Sequence, residues 1–355
     1  MKKKVLSVLL VAAMAMSMLT GCGSSNNAGT AATGEAQNSA AASTTTEQAS
    51  TATDAGTTLI ALITMDSLDQ HWVTLNEGAQ KAAAELGVTV QFMAPNTKDD
   101  AQQIECVNNA VSAGAQAIIV AANGPDAISS ALREASDAGV KLIYVDSPAN
   151  VSAEATFSTD NNAAGKTAGE EMKKALADAG VTSGSIGIIN VNAATDSCVM
   201  REEGFRSAFE GSGFTLLETQ YGEGDAAKSQ SIAENYITQG VVGIFGCNEG
   251  STTGTGNAIK ASGNTGIIGV GFDKSDAIMN LINDGYLLCT MAQNPDQMGK
   301  LGVQACIKAL NGEDLGGEVT DTGVSVLTKE ALAEDGAEET EEAADTEEAD
   351  TEEAK

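Results

Sequence analysis

From Thr57 onward the chain alternates short apolar runs with longer stretches in which apolar residues recur every three or four positions. The short runs fall at 58–64, 88–93, 116–122, 140–145, 185–190, 214–220, 241–246, 266–271 and 286–291, and their continuity predicts strands buried on both faces. Between them the spacing predicts helices. In 99–113, Ile104, Val107 and Val111 share one face, and after the first strand Trp72, Leu75, Ala79, Ala83 and Leu86 do the same. Regular alternation as far as Lys329 predicts an α/β architecture of parallel sheets covered by helices.

The pattern also repeats itself. Residues 114–147 and 239–274 each read strand, Asn-containing loop, helix, Gly, strand, then Asp. Asn123 precedes Asp146 by 23 residues and Asn248 precedes Asp273 by 25. The repeat predicts two lobes, each presenting an Asn and an Asp at strand exits, with a polar cleft between them. The first strand leads into the one histidine and the one tryptophan of the chain, His71-Trp72, with Asp66 and Asp69 just before them. Loops at the carboxyl ends of parallel strands are where such sheets bind ligands, so a flat ring beside two carboxylates here predicts a ligand platform.

The two ends differ from the middle. Three lysines, an apolar run and Leu19-Thr20-Gly21-Cys22 make 1–21 an export signal, and the Leu-Thr-Gly-Cys motif resembles the lipobox of bacterial lipoproteins. The resemblance implies a lipid on Cys22 that holds the protein at the outer face of the membrane. Residues 22–56 are rich in Ser, Thr, Ala, Asn and Gly and are expected to be a disordered tether; 332–355, with its TEEA-type units, is expected to be an acidic disordered tail.

Composition removes several function classes. The formal charge of −30 disfavours nucleic acid and anionic lipid surfaces as partners. No GxGxxG follows a strand, no phosphate-loop lysine is present, and one histidine leaves little scope for a nucleophile–base pair. No enzyme, cofactor or metal site is therefore expected. The five cysteines after Cys22 show no CxxC spacing and read as buried free thiols.

TLIALITMDSLDQHWVTLNEGAQKAA, LIYVDS, STDNNAAGKTAGE, REEGF, GVGFD and TMAQNPDQMGKLGVQA, in this order, resemble the ribose/galactose-type substrate-binding proteins of ABC transporters, periplasmic binding proteins of type I. The resemblance covers about 57–330. It implies two doubly wound parallel-sheet lobes joined by a three-crossing hinge near Thr159-Asp160, Gln293-Asn294 and Thr322-Gly323. The lobes would be 57–159 with 294–322 and 160–293 with 323–331.

The same resemblance implies ligand contacts at Asp69, His71, Trp72, Asp146, Ser147, Arg201, Asn248, Asp273 and Gln293. Ser147 stands where ribose binders have a second arginine, Asp69 where they have asparagine, and Gly224 where they have a ring. Three carboxylates against one arginine disfavour an acidic ligand, so a neutral monosaccharide or polyol is expected. The implied partner is an ABC transporter permease; the alternative is a sensing module that presents the bound sugar to a membrane receptor or kinase. A monomer is expected.

Overall fold

The computed structural model describes residues 58–334. The expected signal, tether and lipid-bearing Cys22, and the tail beyond 334, lie outside the described residues.

The first sheet is built from β1 (Leu59–Ile63), β2 (Thr89–Met93), β3 (Ala117–Val120), β4 (Lys141–Val145), β5 (Ala155–Ser158) and β12 (Glu318–Asp321), in the order β12-β5-β4-β3-β1-β2. The second holds β6 (Gly184–Asn190), β7 (Phe214–Leu216), β9 (Gly243–Gly246), β10 (Ile268–Phe272), β11 (Cys289–Gln293) and β13 (Val324–Thr328), in the order β13-β11-β10-β9-β6-β7; β8 (Gln220–Tyr221) also pairs with β6. The two orders are the same when read across, with β4 matching β10 and β3 matching β9. Neighbouring strands run parallel except at β11–β13. The architecture is the expected pair of doubly wound α/β lobes.

Helices α1 (Gln70–Leu86), α2 (Asp100–Ser112), α3 (Ser129–Asp137) and α9 (Pro295–Leu310) cover the first sheet. Helices α4 (Asn161–Asp178), α5 (Asp196–Ala208), α6 (Ala226–Thr238), α7 (Glu249–Ser262) and α8 (Asp276–Asn283) belong to the second. The central strands are buried on both faces. Ile60, Leu62, Ile119 and Ile143 point to the α1/α9 side, and Ala61, Ile63, Ile118 and Leu142 to the α2/α3 side. This double burial is why β1, β3 and β4 read as unbroken apolar runs. α1 stops at Gly87, whose φ of 68° is the left-handed cap that a side chain resists.

In each lobe one helix pair meets at backbone distance. A Cβ on Gly78 of α1 would strike the Asp296 carbonyl, and one on Gly299 of α9 the Leu75 carbonyl. In the second lobe a Cβ on Gly165 of α4 would strike the Arg201 carbonyl, and one on Gly204 of α5 the Asn162 carbonyl. These pairs fix α1 and α5, the helices that carry site residues.

The chain passes between the sheets three times: from β5 to α4, from β11 to α9 and from β12 to β13. Side chains stitch the passages together. Thr159 Oγ1 donates to Gln293 Oε1 at 2.8 Å, Asn294 Nδ2 to the Thr322 carbonyl at 2.8 Å, and the Asp160 amide to Asp321 Oδ1 at 3.1 Å.

Some elements differ from the pattern-based expectation. The run at 214–220 is split into β7 and β8. The strand expected at 286–291 begins only at Cys289, because the amides of Tyr286 and Leu287 still bond to Leu281 at the end of α8. β5, β12 and β13 are strands that the pattern does not predict; each is short and partly exposed. Residues 329–334 are helical, and Leu332, assigned to the tail by its sequence, packs with Ile278 and Leu281.

Candidate functional site

The carboxyl ends of the two sheets face each other, and the site forms between them. The first lobe contributes Asp66 and Asp69 after β1, His71 and Trp72 at the start of α1, Lys98 after β2, and Asp146-Ser147 after β4. The second contributes Arg201 on α5, Asn248 after β9, Asp273 after β10 and Gln293 at the end of β11. Asp69, His71, Trp72, Asp146, Arg201, Asn248, Asp273 and Gln293 all line one inner cavity of about 20 Å³, room for about one water. Ser147 stands behind Asp146, its Oγ 2.9 Å from Asp146 Oδ1 and 2.7 Å from Ser197 Oγ of the opposite lobe.

Asp146 and Asp273 occupy matching exits, β4 and β10, and share an unusual backbone. Their φ values are 58° and 75°, the left-handed region that L side chains enter at a cost. Neither caps a helix: Ser275 caps α8, and the Asp146 carboxylate faces His71, Arg201 and Ser147.

His71 lies between these two acids. Its Nε2 is 3.3 Å from Asp146 Oδ2 and its Nδ1 is 3.5 Å from Asp273 Oδ1. Burial opposes a charge on the ring, but the two carboxylates outweigh it and raise the His71 pKa. Burial likewise opposes the Asp146 charge, yet His71 and Arg201 hold that carboxyl well below its ordinary range. The His71 amide donates across the cleft to Glu249 Oε2 at 3.1 Å. Glu249 is desolvated beside Asp69 and Asp273 and is pushed up to about 7.

Arg201 is 2 % exposed and does not pair with its helix neighbours Glu202 and Glu203. Its Nε donates to Asn161 Oδ1 at 2.8 Å and its Nη1 to the Cys247 carbonyl at 3.1 Å. The guanidinium lies 4.4 Å over the Phe272 ring. Nη2 points towards Asp146, 3.6 Å away, and has no hydrogen-bond partner among the described residues. The same holds for Asn248 Nδ2. Among the described residues the cleft therefore holds two buried donors of the second lobe, Arg201 Nη2 and Asn248 Nδ2, that lack an acceptor.

Trp72 serves core and cavity together. It is 4 % exposed within the first lobe's core, meets the His71 ring edge-on at 4.6 Å, and donates from Nε1 to Asp66 Oδ2 at 3.2 Å. Asp66 and Asp69 share the Lys98 ammonium, which lies 2.7 Å from Asp69 Oδ2. Burial works against the Lys98 charge, but Asp69 and Asp66 more than offset it. Burial also opposes the Asp66 charge, which Lys98 and the Asp69 and Leu68 amides hold in place. Burial, with Asp66 and Asp273 near, pushes Asp69 upward. Gln293 links hinge and site, accepting from Thr159 and donating from Nε2 to Asp273 Oδ1 at 2.5 Å.

Sequence reasoning missed Lys98 and Glu249. The repeat also predicted an Asn at each lobe's cleft face, and only Asn248 stands there. Asn123 is tied to Asp100 Oδ1 at 2.5 Å and to Gln103, outside the cavity lining. A second cavity, of about 320 Å³, adjoins the first and shares His71 and Gln293 with it. Among the described residues no group of three or more His, Cys, Asp or Glu is placed to hold a metal ion, and Cys106, Cys198, Cys247, Cys289 and Cys306 are free.

Comparison with known proteins gives a consistent result. Residues 60–314 match the family described as periplasmic binding protein domain. The chain is 30 % identical over 267 residues to the ribose import binding protein of Haemophilus influenzae, covering 74 % of this chain and 89 % of that one. An ABC transporter solute-binding protein from Agrobacterium vitis, solved with D-fucose, superposes with a TM-score of 0.72 at 30 % identity, covering 77 % of this chain and 96 % of that one. A carbohydrate transporter solute-binding protein from Agrobacterium radiobacter, solved with D-arabinose, gives 0.75 at 26 % identity, covering 80 % and 98 %.

Proposed function

The chain belongs to the periplasmic binding protein domain family, whose members bind rather than transform their ligands, and on that premise we propose that it captures a neutral sugar for an ABC transporter. The ligand is a monosaccharide or polyol, enclosed between the lobes and delivered to a permease. Cys22 carries a lipid that keeps the protein at the extracytoplasmic face of the cell membrane.

One observation carries the sugar reading: unsatisfied donors on Arg201 and Asn248 converge with His71, Asp146 and Asp273 beside the Trp72 ring. A pyranose offers the complement, an apolar C–H face for the ring and vicinal hydroxyls that both donate and accept. Charge supports neutrality. Lys98, Arg201 and His71 are opposed by Asp66, Asp69, Asp146, Asp273 and Glu249, so an anion would meet no excess of positive charge. The relatives named for ribose import and solved with fucose or arabinose support the same class. A sugar ring exceeds the inner cavity, so entry requires the lobes to part at the three passages and close again on the ligand.

The test is a thermal-shift screen of D-ribose, D-arabinose, D-fucose, D-galactose, D-glucose and xylitol, followed by calorimetry. Binding of at least one is expected, with Kd in the micromolar range or tighter. Failure of all six, alongside binding of a phosphorylated or acidic ligand, would overturn the reading. For the anchor, Cys22→Ala is expected to abolish incorporation of a labelled fatty acid; label persisting in the mutant rejects it.

A further inference from the structure

Lys98 is a lysine in a polar loop, the kind of residue that ordinarily lies in solvent. Here its side chain is 6 % exposed and joins the lining of the inner cavity. Two carboxylates of its own lobe, Asp66 and Asp69, hold the ammonium. An ammonium has three N–H donors, so two are spent and one remains. The side chain also reaches the opposite lobe. A Cβ on Gly224, in the turn before α6, would stand 2.7 Å from Lys98 Cδ and 2.8 Å from Cε and Nζ. Gly224 has a φ of 74°, so its turn favours glycine, and the missing side chain is the space the lysine occupies.

We propose that Lys98 is a specificity-determining contact of the ligand site, donating its third N–H to one hydroxyl of the bound sugar and seating on Gly224 as the lobes close. This rests on the sugar-binding reading above. The geometry has two consequences. The ligand carries an oxygen acceptor on the edge facing Asp69, and a sugar lacking that oxygen leaves a buried cation short of a partner, a loss well above that of a neutral hydrogen bond. Closure is complete only when the lysine stem lies against the glycine, so the two positions act as a pair.

The experiment takes the panel sugar that binds the wild type best, together with its monodeoxy analogues, and measures Kd for the wild type and Lys98→Met. The wild type is expected to reject one monodeoxy analogue at least tenfold, and Lys98→Met to bind that analogue and the parent sugar within about threefold of each other. A Lys98→Met protein that weakens towards every sugar equally, with the wild-type ratios intact, shows a neutralising role only and overturns the proposal.

A second arm uses Gly224→Ala in the wild-type and Lys98→Ala backgrounds. The methyl group is expected to weaken binding at least tenfold in the first and under threefold in the second; equal losses overturn the seating. A wild type that binds no panel sugar brings down the functional reading, and this one with it. A wild type that binds while Lys98→Met keeps its discrimination brings down this one alone.

Discussion

The imidazole of His71 and the carboxylate of Asp273 meet 3.5 Å apart although they belong to different lobes. With Asp146 on the other side of the ring, one imidazole bridges an acid of each half. The groups that would contact a ligand therefore also hold the closed lobes to each other, and protonation of His71 acts on that junction.

This gives a pH dependence with a definite sign. The His71 pKa is raised from an ordinary 6.5, so its contribution to stability is full below that value and is lost as pH rises through the folded one. Glu249, raised from 4.5 to about 7, acts in the same direction, its folded form losing ground between those values. Asp146 is depressed, so its contribution is present above the ordinary carboxylate range and lost as pH falls through its folded value. Thermal unfolding is expected to show a maximum near pH 5 and a lower Tm at pH 8. Because the overall negative charge also falls on acidification, the diagnostic is Glu249→Gln. It should raise Tm at pH 8 relative to the wild type and flatten the curve between about pH 4.5 and 7; an unchanged curve rejects the assignment.

Arg201→Lys retains the charge but not the fork that reaches Asn161, the Cys247 carbonyl and the cleft at once. Sugar affinity should fall by about 1.5–3 kcal/mol, the range for a charged hydrogen bond. Calorimetry checks it, and wild-type affinity would show that Nη2 does not touch the ligand.

Trp72 is a core residue as well as a cavity wall, so its substitutions separate. Trp72→Ala should destabilise the fold by about 3–5 kcal/mol in denaturant titration. Trp72→Phe should keep the packing and lose the bond to Asp66, at about 1 kcal/mol. As the single tryptophan, Trp72 should change its emission when a sugar is added to the wild type, and that change should saturate at the calorimetric Kd.

The close helix crossing predicts that Gly165→Ala pushes α5 away from α4 at the level of the Arg201 backbone. A stability loss of about 1–3 kcal/mol is expected, with a measurable drop in sugar affinity because Arg201 moves with its helix. An alanine protein of unchanged stability and affinity would show that the contact relaxes freely.

The parts legible in the sequence were those carried by burial on both faces and by chemistry at strand exits. β1, β3 and β4 announce themselves as apolar runs, and the repeat pointed to Asp146 and Asp273. Lys98 was not legible because a lysine between Thr97 and Asp99 has every mark of a solvated loop; only the fold brings Asp66 and Asp69 to it. Glu249 read as an ordinary acid at a helix start, and its exposure to Asp69 and Asp273 is a property of two lobes meeting. β12, EVTD, escaped because it has one apolar residue in four, and β13, VSVLT, because its short alternation follows no helical stretch and joins its sheet antiparallel. Asn123 shows the converse, a repeat faithful in sequence whose side chain is absorbed by Asp100 in one lobe alone.

The three passages between the sheets have a consequence for synthesis and folding. The first five strands are complete by Ser158, but the helix that seals one face of their sheet is α9, whose Met298, Val303 and Cys306 lie in that lobe's core. The edge strand β12 comes later still. The lobe begun first on the ribosome is therefore completed only at Asp321, and its apolar face stays open while β6 to β11 of the second lobe are being made. Such long-range closure slows folding and prolongs the exposure of that apolar face.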